Sequence, residues 1–169
     1  MTFECGCPDN YPDWDGQDID LGGQAMLAMP IPTFLHMPMG YELYLGRVRH
    51  LLKELELKER WPGFMLTKTG WLRGRILSPL EDSDSPSRHI IHLPSPLHIR
   101  AKLHEGDIST IKNSVREMQS GLLDLGRMPK ELYLSYLTCL NCEKERGGAK
   151  IMVMRRWEQS ARLSKRINR

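Results

Sequence analysis

Residues 131–157 read ELYLSYLTCLNCEKERGGAKIMVMRRW, two apolar runs divided by a turn. Leu132, Leu134 and Tyr136 alternate with Tyr133, Ser135 and Leu137. A period of two points successive side chains to opposite faces of a strand, and apolar residues on both faces predict a strand over 131–138 that is buried on each side. That strand runs straight into Cys139. Gly147 and Gly148 turn the chain into a second strand over 149–156. Between the two lies Cys139-Leu-Asn-Cys142, a pair of thiols at a spacing that lets both face one ion.

Working upstream, Ile111, Val115, Met118, Leu122 and Leu125 recur at helical spacing. Asp107 or Ser109 serves as N-cap, Gly126 as the stop, and Pro129 bars continuation. Short strands are predicted over 89–93 and 97–104, separated by Pro94-Ser-Pro96, and the turn formers and charges of 79–88 predict an exposed loop. Residues 64–69 and 71–77 flank Gly70 as a hairpin. Tyr41, Leu45, Val48, Leu52 and Leu55 form the stripe of a helix over 41–59, which Pro62 ends. Residues 1–40 contain five prolines and a Gly22-Gly23 pair without sustained period, so they predict an irregular but ordered wrap, anchored by Trp14 and Phe34, with one short strand at 24–28.

The order of elements predicts an α+β fold. A mainly antiparallel sheet is packed by two amphipathic helices, with an irregular N-terminal segment and a basic C-terminal helix. At 169 residues the chain is read as one domain: an acidic N-terminal wrap over 1–40, an α+β core over 41–156 and a basic helical tail over 157–169. With 40% hydrophobic and 27% charged residues, disordered and fibrous classes are excluded, and no apolar run reaches the length of a membrane span.

Charge is unevenly laid out. Residues 1–42 carry Glu4, Asp9, Asp13, Asp15, Asp18, Asp20 and Glu42 with no Lys or Arg, a formal −7, whereas 155–169 carry a formal +5. Opposite signs predict that the two ends meet, the tail docking on the acidic wrap. An acidic start is the reverse of an export signal and predicts a cytoplasmic protein. In that reducing compartment, four cysteines in two close pairs favour metal over disulfides. Cys5, Cys7, Cys139 and Cys142 therefore form a candidate structural zinc site, Gly6 easing the backbone between the first two. The same residues admit a mixed site in which His36 or an aspartate joins Cys5 and Cys7, a redox CxxC, or four buried thiols without a ligand.

Other constellations are weaker. Asp13, Asp15, Asp18 and Asp20 around Gly16 offer alternating oxygen ligands, but the glutamate that would complete an EF-hand loop is missing. His36 with Met26, Met29, Met37 and Met39 supplies soft donors suited to copper, against core packing for the methionines. His89, His92, His98 and His104 fall on the two short strands without any helical metal motif. Arg73 and Arg75, with Trp71 beside them, can grip an anion. Arg155, Arg156, Arg162, Lys165 and Arg166 are the strongest signal for nucleic acid. No nucleophile elbow, phosphate loop or dinucleotide fingerprint occurs.

The sequence thus predicts a zinc-stabilised cytoplasmic binding or regulatory module, with protein or nucleic acid as partner through its basic surface and no membrane association. The first alternative is a metal-dependent enzyme using the acidic loop and His36; the second is a nucleic-acid-binding protein using the tail.

Overall fold

A computed structural model describes residues 5–81 and 85–169. In chain order it contains β1 (Asp18–Asp20), β2 (Ala25–Phe34), β3 (Met37–Pro38), α1 (Tyr41–Glu54), β4 (Leu66–Lys68) and β5 (Arg73–Pro79). Then follow β6 (Ile90–His92), β7 (His98–Glu105), a 3-10 turn (Ile108–Thr110), α2 (Ile111–Asp124), β8 (Arg127–Tyr136), β9 (Lys150–Gln159) and α3 (Ala161–Ile167). The architecture is α+β, and every strand pairing is antiparallel. The strand order is β1-β7-β9-β8-β4-β5-β2-β3, with β6 also on β2.

The 131–157 stretch is the centre of this sheet. β8 and β9 form a long hairpin whose register runs from Arg127 opposite Gln159 to Tyr136 opposite Ile151. β8 begins four residues before the predicted start. Pro129, expected only to block a helix, sits instead where the register shifts, so that Lys130 and Glu131 together oppose Arg156. A bulge tolerates a residue that has no N–H to give the ladder.

Both long helices lie on one face. α1 buries Val48 and Leu52 against Leu27, Met29, Ile31 and Ile76, and α2 buries Met118 and Leu122 against Leu134, Ile151, Val153 and Trp157. The opposite, helix-free face carries its own apolar layer, including Met26, Leu66, Leu77, Tyr133, Met152, Met154 and Ile99. Tyr11 and Trp14 of the N-terminal segment close one end of that layer, where Trp14, Trp61 and Phe64 meet edge to face at 5.2 to 5.8 Å. Edge-to-face contacts place the positive rim of one ring on the negative face of the next.

Two expectations about the first forty residues are corrected. Residues 18–38 are mostly strand, and β2 spans ten residues rather than five. Pro30 and Pro32 are compatible with it because alternate N–H groups leave β2 on opposite sides. The N–H of Ala28 points away from β5, to His89 O, so the nitrogens at 30 and 32 face the same open edge. The termini, in turn, do not pair. Asp9 binds Arg146, and Asp18 binds Arg100 and Arg127, whereas among the described residues α3 forms no ion pair. α3 packs beside Gly126, at the far end of the β8–β9 hairpin from the cysteines.

The remaining elements follow their signals. Asp107 accepts the Ser109 N–H at 3.0 Å and starts the 3-10 turn that leads into α2, and Gly126, at φ 73°, ends it. α1 stops at Glu54, short of the predicted residue 59. β4 and β5 make the expected hairpin, and the predicted loop over 79–88 lies partly outside the described residues. Among the described residues no helix is long and apolar enough to cross a membrane.

Candidate metal centre and a basic row on the open face

The two cysteine pairs, with 131 residues between them in sequence, converge. The ligand atoms of Cys5, Cys7, Cys139 and Cys142 all lie within 4.8 Å of one another. Cys139 and Cys142 occupy the turn that closes the central hairpin, where the Cys142 and Glu143 N–H groups both donate to Cys139 O. Their sulfurs are 3.8 Å apart. Four sulfurs each about 2.3 Å from one zinc stand roughly 3.8 Å apart along a tetrahedral edge. The geometry and the donor chemistry therefore both fit a metal ion, and all four thiols are free.

Electrostatics at the cluster show what four crowded sulfurs require. Burial, with the Cys139 and Cys142 sulfurs beside it, pushes the Cys7 thiol far above its usual range, and burial raises Cys142 as well. Burial also opposes ionisation of Cys139, but N–H groups of Asn141 and Cys142 aimed at its sulfur prevail and bring it down to about 7. Four thiolates this close repel one another, so the arrangement holds either protons or a cation.

Two arginines support the N-terminal half. Arg146 donates to Pro8 O and, at 2.8 Å, to Asp9 Oδ1, pinning the segment just beyond Cys7 to the hairpin turn. The Arg49 guanidinium lies against Gly6, where a Cβ would meet its Nη2 at 2.0 Å. Gly63, at φ 84°, would bring a Cβ to 2.8 Å from Gly6 O and 3.1 Å from Pro8 Cα, so only glycine lets the 62–64 turn approach so closely. A cleft of about 560 Å³ opens beside the cluster between α1 and β8. Within it Tyr41 donates to or accepts from Thr67 Oγ1 at 2.8 Å and meets the Tyr136 ring at 5.5 Å.

The other sequence candidates do not join this centre. Asp15 accepts the Leu103 N–H, Asp18 is shared by Arg100 and Arg127, and Asp20 accepts N–H groups of Gly22 and Leu97. These carboxylates line the β1–β7 edge, whereas His36 lies between β2 and β3 at the opposite edge, beside Trp71. The pocket that the enzyme alternative needs from the acidic loop and His36 is therefore not assembled, nor does either reach the cysteines. Among the described residues the thiols are the one group of three or more such ligands within reach of one ion. Met26 and Met29 are core residues, while Met37 and Met39 are exposed. His104 is buried and bonded to Ser114 Oγ at 2.7 Å and Thr110 Oγ1 at 2.9 Å, and His98 stacks on Trp157 at 4.8 Å.

The cationic candidates separate into three places. Arg162, Lys165 and Arg166 lie on α3. Arg155 faces the α2 side, half-buried, with its Nε unbonded. Arg75 and Arg156 lie on the helix-free face, with Arg73 exposed at the outer end of β5. On that face Arg75 is paired across β5–β4 with Lys68, and Lys68 across β4–β8 with Tyr133. Glu131 binds Arg156 at 2.9 Å, and Arg156 also binds Glu158 at 2.6 Å. Partial burial raises the Glu131 carboxyl, but Arg156 outweighs it and holds it below the ordinary range; burial and Glu131 push the Tyr133 phenol up. Sequence reading missed Lys68, Glu131 and Tyr133, because only cross-strand register unites them.

Fold and donor set together define an α+β, antiparallel-sheet protein with a four-thiol cluster able to hold a metal ion. A family model described as "Bacterial hydrolase" matches residues 1–156, and the chain belongs to that family. Among solved structures it resembles the crystal structure of the EcmrR C-terminal domain, with TM-score 0.58 and 10% identity over 84% of this chain and 96% of that one. It also resembles EcmrR in the cryo-EM structure of an EcmrR–DNA complex, with TM-score 0.56 and 10% identity over 84% of this chain and 56% of that one. At such identity the likeness is one of fold. Comparison with curated proteins gives no match.

Proposed function

We propose that the chain is a zinc-stabilised binding or regulatory module, folding as one unit over residues 1–169 in a reducing cytoplasm. The observation that carries the reading is the convergence of all four sulfurs within 4.8 Å. Zinc closed by four thiolates supplies structure rather than catalysis, since no coordination position is left for water. Cys139 and Cys142 present two ligands from a rigid hairpin turn, and Cys5 and Cys7 bring the N-terminal segment to it. Arg146 and Arg49 offset the negative charge that four thiolates leave on a dipositive ion.

Elemental analysis of untagged protein tests this directly. The expected result is about one zinc per chain, lost in Cys139→Ser together with a fall in Tm on the order of 10 °C. Unchanged metal content and melting in that variant would overturn it.

Membership in a hydrolase family favours a second reading, in which the same module hydrolyses what it binds. With the thiols closing the metal, the chemistry belongs to the open face, where the Glu131 carboxylate and Tyr133 phenol stand among cations. A panel of ester and amide substrates against the native chain and Glu131→Gln decides this reading. Turnover abolished by the substitution supports it, and no turnover on any member removes it.

A further inference from the structure

We propose that the uncovered end of the helix-free face is a binding site for a small organic anion, a carboxylate or phosphate ester, held by Lys68, Arg75 and Arg156 with the Tyr133 hydroxyl as a further donor. This gives a ligand class to the binding half of the reading above and does not depend on the metal.

Three observations carry it. Arg75 and Lys68 are direct cross-strand partners, and Lys68 is next to Tyr133, which places two cations and a phenol side by side on β5, β4 and β8. Like charges directly opposed on adjacent strands cost stability unless an anion lies between them. Among the described residues neither Arg75 nor Lys68 forms an ion pair or a side-chain hydrogen bond.

Second, Tyr133 is only 5% exposed, yet its hydroxyl has no hydrogen-bond partner among the described residues. The hydroxyl is not one of the enclosed unpaired polar atoms, so it opens to the surface and is free to donate to a ligand. Its surroundings are Glu131, Arg75 and Arg156. A ligand anion accepting from it would also lie between the opposed cations Lys68 and Arg75.

Third, the site is bounded. The N-terminal segment covers the other end of the face through Tyr11 and Trp14, and Glu131 and Glu158 flank Arg156 on β8 and β9. Glu131, which also acts on Lys68 and Tyr133, and Glu158 offset Arg156, so the uncompensated charge of this face is that of Arg75 and Lys68, suited to one discrete anion rather than a continuous phosphate backbone. Exposed Pro30 and Pro32, beside Arg75 and Arg73 on β2, offer an apolar flank for the ligand's body.

The test is calorimetric titration of the zinc-replete full chain with inorganic phosphate and with benzoate, each against sodium chloride at matched ionic strength. Saturable binding of at least one probe is expected, about tenfold weaker in Arg75→Met and several-fold weaker in Tyr133→Phe. Which probe binds tells phosphate chemistry from carboxylate chemistry. Tyr133→Phe removes only an unbonded hydroxyl, so its ligand-free Tm is expected to match the native chain; it keeps the test valid if Arg75→Met fails to fold. Heats equal to those of chloride, no saturation with either probe, or native affinity in both variants would overturn the proposal. So would duplex DNA binding that disappears in Arg75→Met while neither small anion binds. Zinc content, measured separately, reports on the metal reading alone.

Discussion

Asp18 shows how one carboxylate replaces an expectation about whole segments. It receives Arg100 Nε and Nη2 at 3.0 and 2.8 Å and Arg127 Nη1 at 2.9 Å. Partial burial raises its carboxyl, but the two guanidinium groups outweigh that and hold it below the ordinary range. A depressed folded value means that the stabilisation is complete above the unfolded carboxylate value of about 4 and fades as pH falls through the folded one. Asp18→Asn is therefore expected to cost ~1 kcal/mol at neutral pH, limited by solvent screening of a site one-third exposed, with the difference in Tm from the native chain closing below about pH 4. A difference that persists undiminished at pH 3 would assign the effect to packing. The cysteines are legible in the sequence because two close thiol pairs match the spacing of metal ligands. Tyr133 and Lys68 are not, since nothing in their local sequence marks them.

At the level of elements, periodicity located α1, α2, the β4–β5 hairpin and the β8–β9 hairpin, because each has a face that must be buried. It failed at β2, where prolines mimic a loop, and at the start of β8, where a bulge hides the alternation. Both failures share a cause: a residue without an N–H is compatible with a strand only when its nitrogen faces an unpaired side, and that is set by partners distant in sequence. β5 contains the most exacting position. A Cβ on Gly74 would lie 2.4 Å from Lys68 O and 2.9 Å from Thr33 Cγ2, so the β4–β5 pairing requires glycine there. Gly74→Ala is expected to destabilise by ~2 kcal/mol and to weaken anion binding through displacement of Lys68 and Arg75. Native stability in that variant would show that β4 and β5 can separate freely.

Considered as a whole, the molecule is a single-layer sheet with helices on one face and, on the other, an N-terminal segment that covers only part of it. The fold class followed from the order of elements, whereas the topology did not, because antiparallel pairing between β7 and β9 or between β4 and β8 is fixed by packing rather than by neighbouring residues. If zinc holds the wrap in place, chelation is expected to shift tryptophan emission to the red as Trp14 leaves Trp61 and Phe64, and Trp61→Phe should diminish that shift. Emission unmoved by metal loss would show that the aromatic contacts dock the segment unaided. The separation of the two thiol pairs also orders events during synthesis. Cys5 and Cys7 leave the ribosome first, yet at roughly 5–20 residues per second they wait about 7 to 26 seconds for Cys139 and Cys142. A nascent chain that stalls before the last hairpin holds only half a ligand set, so capture of the metal by all four thiols would mark molecules in which β8 has been made.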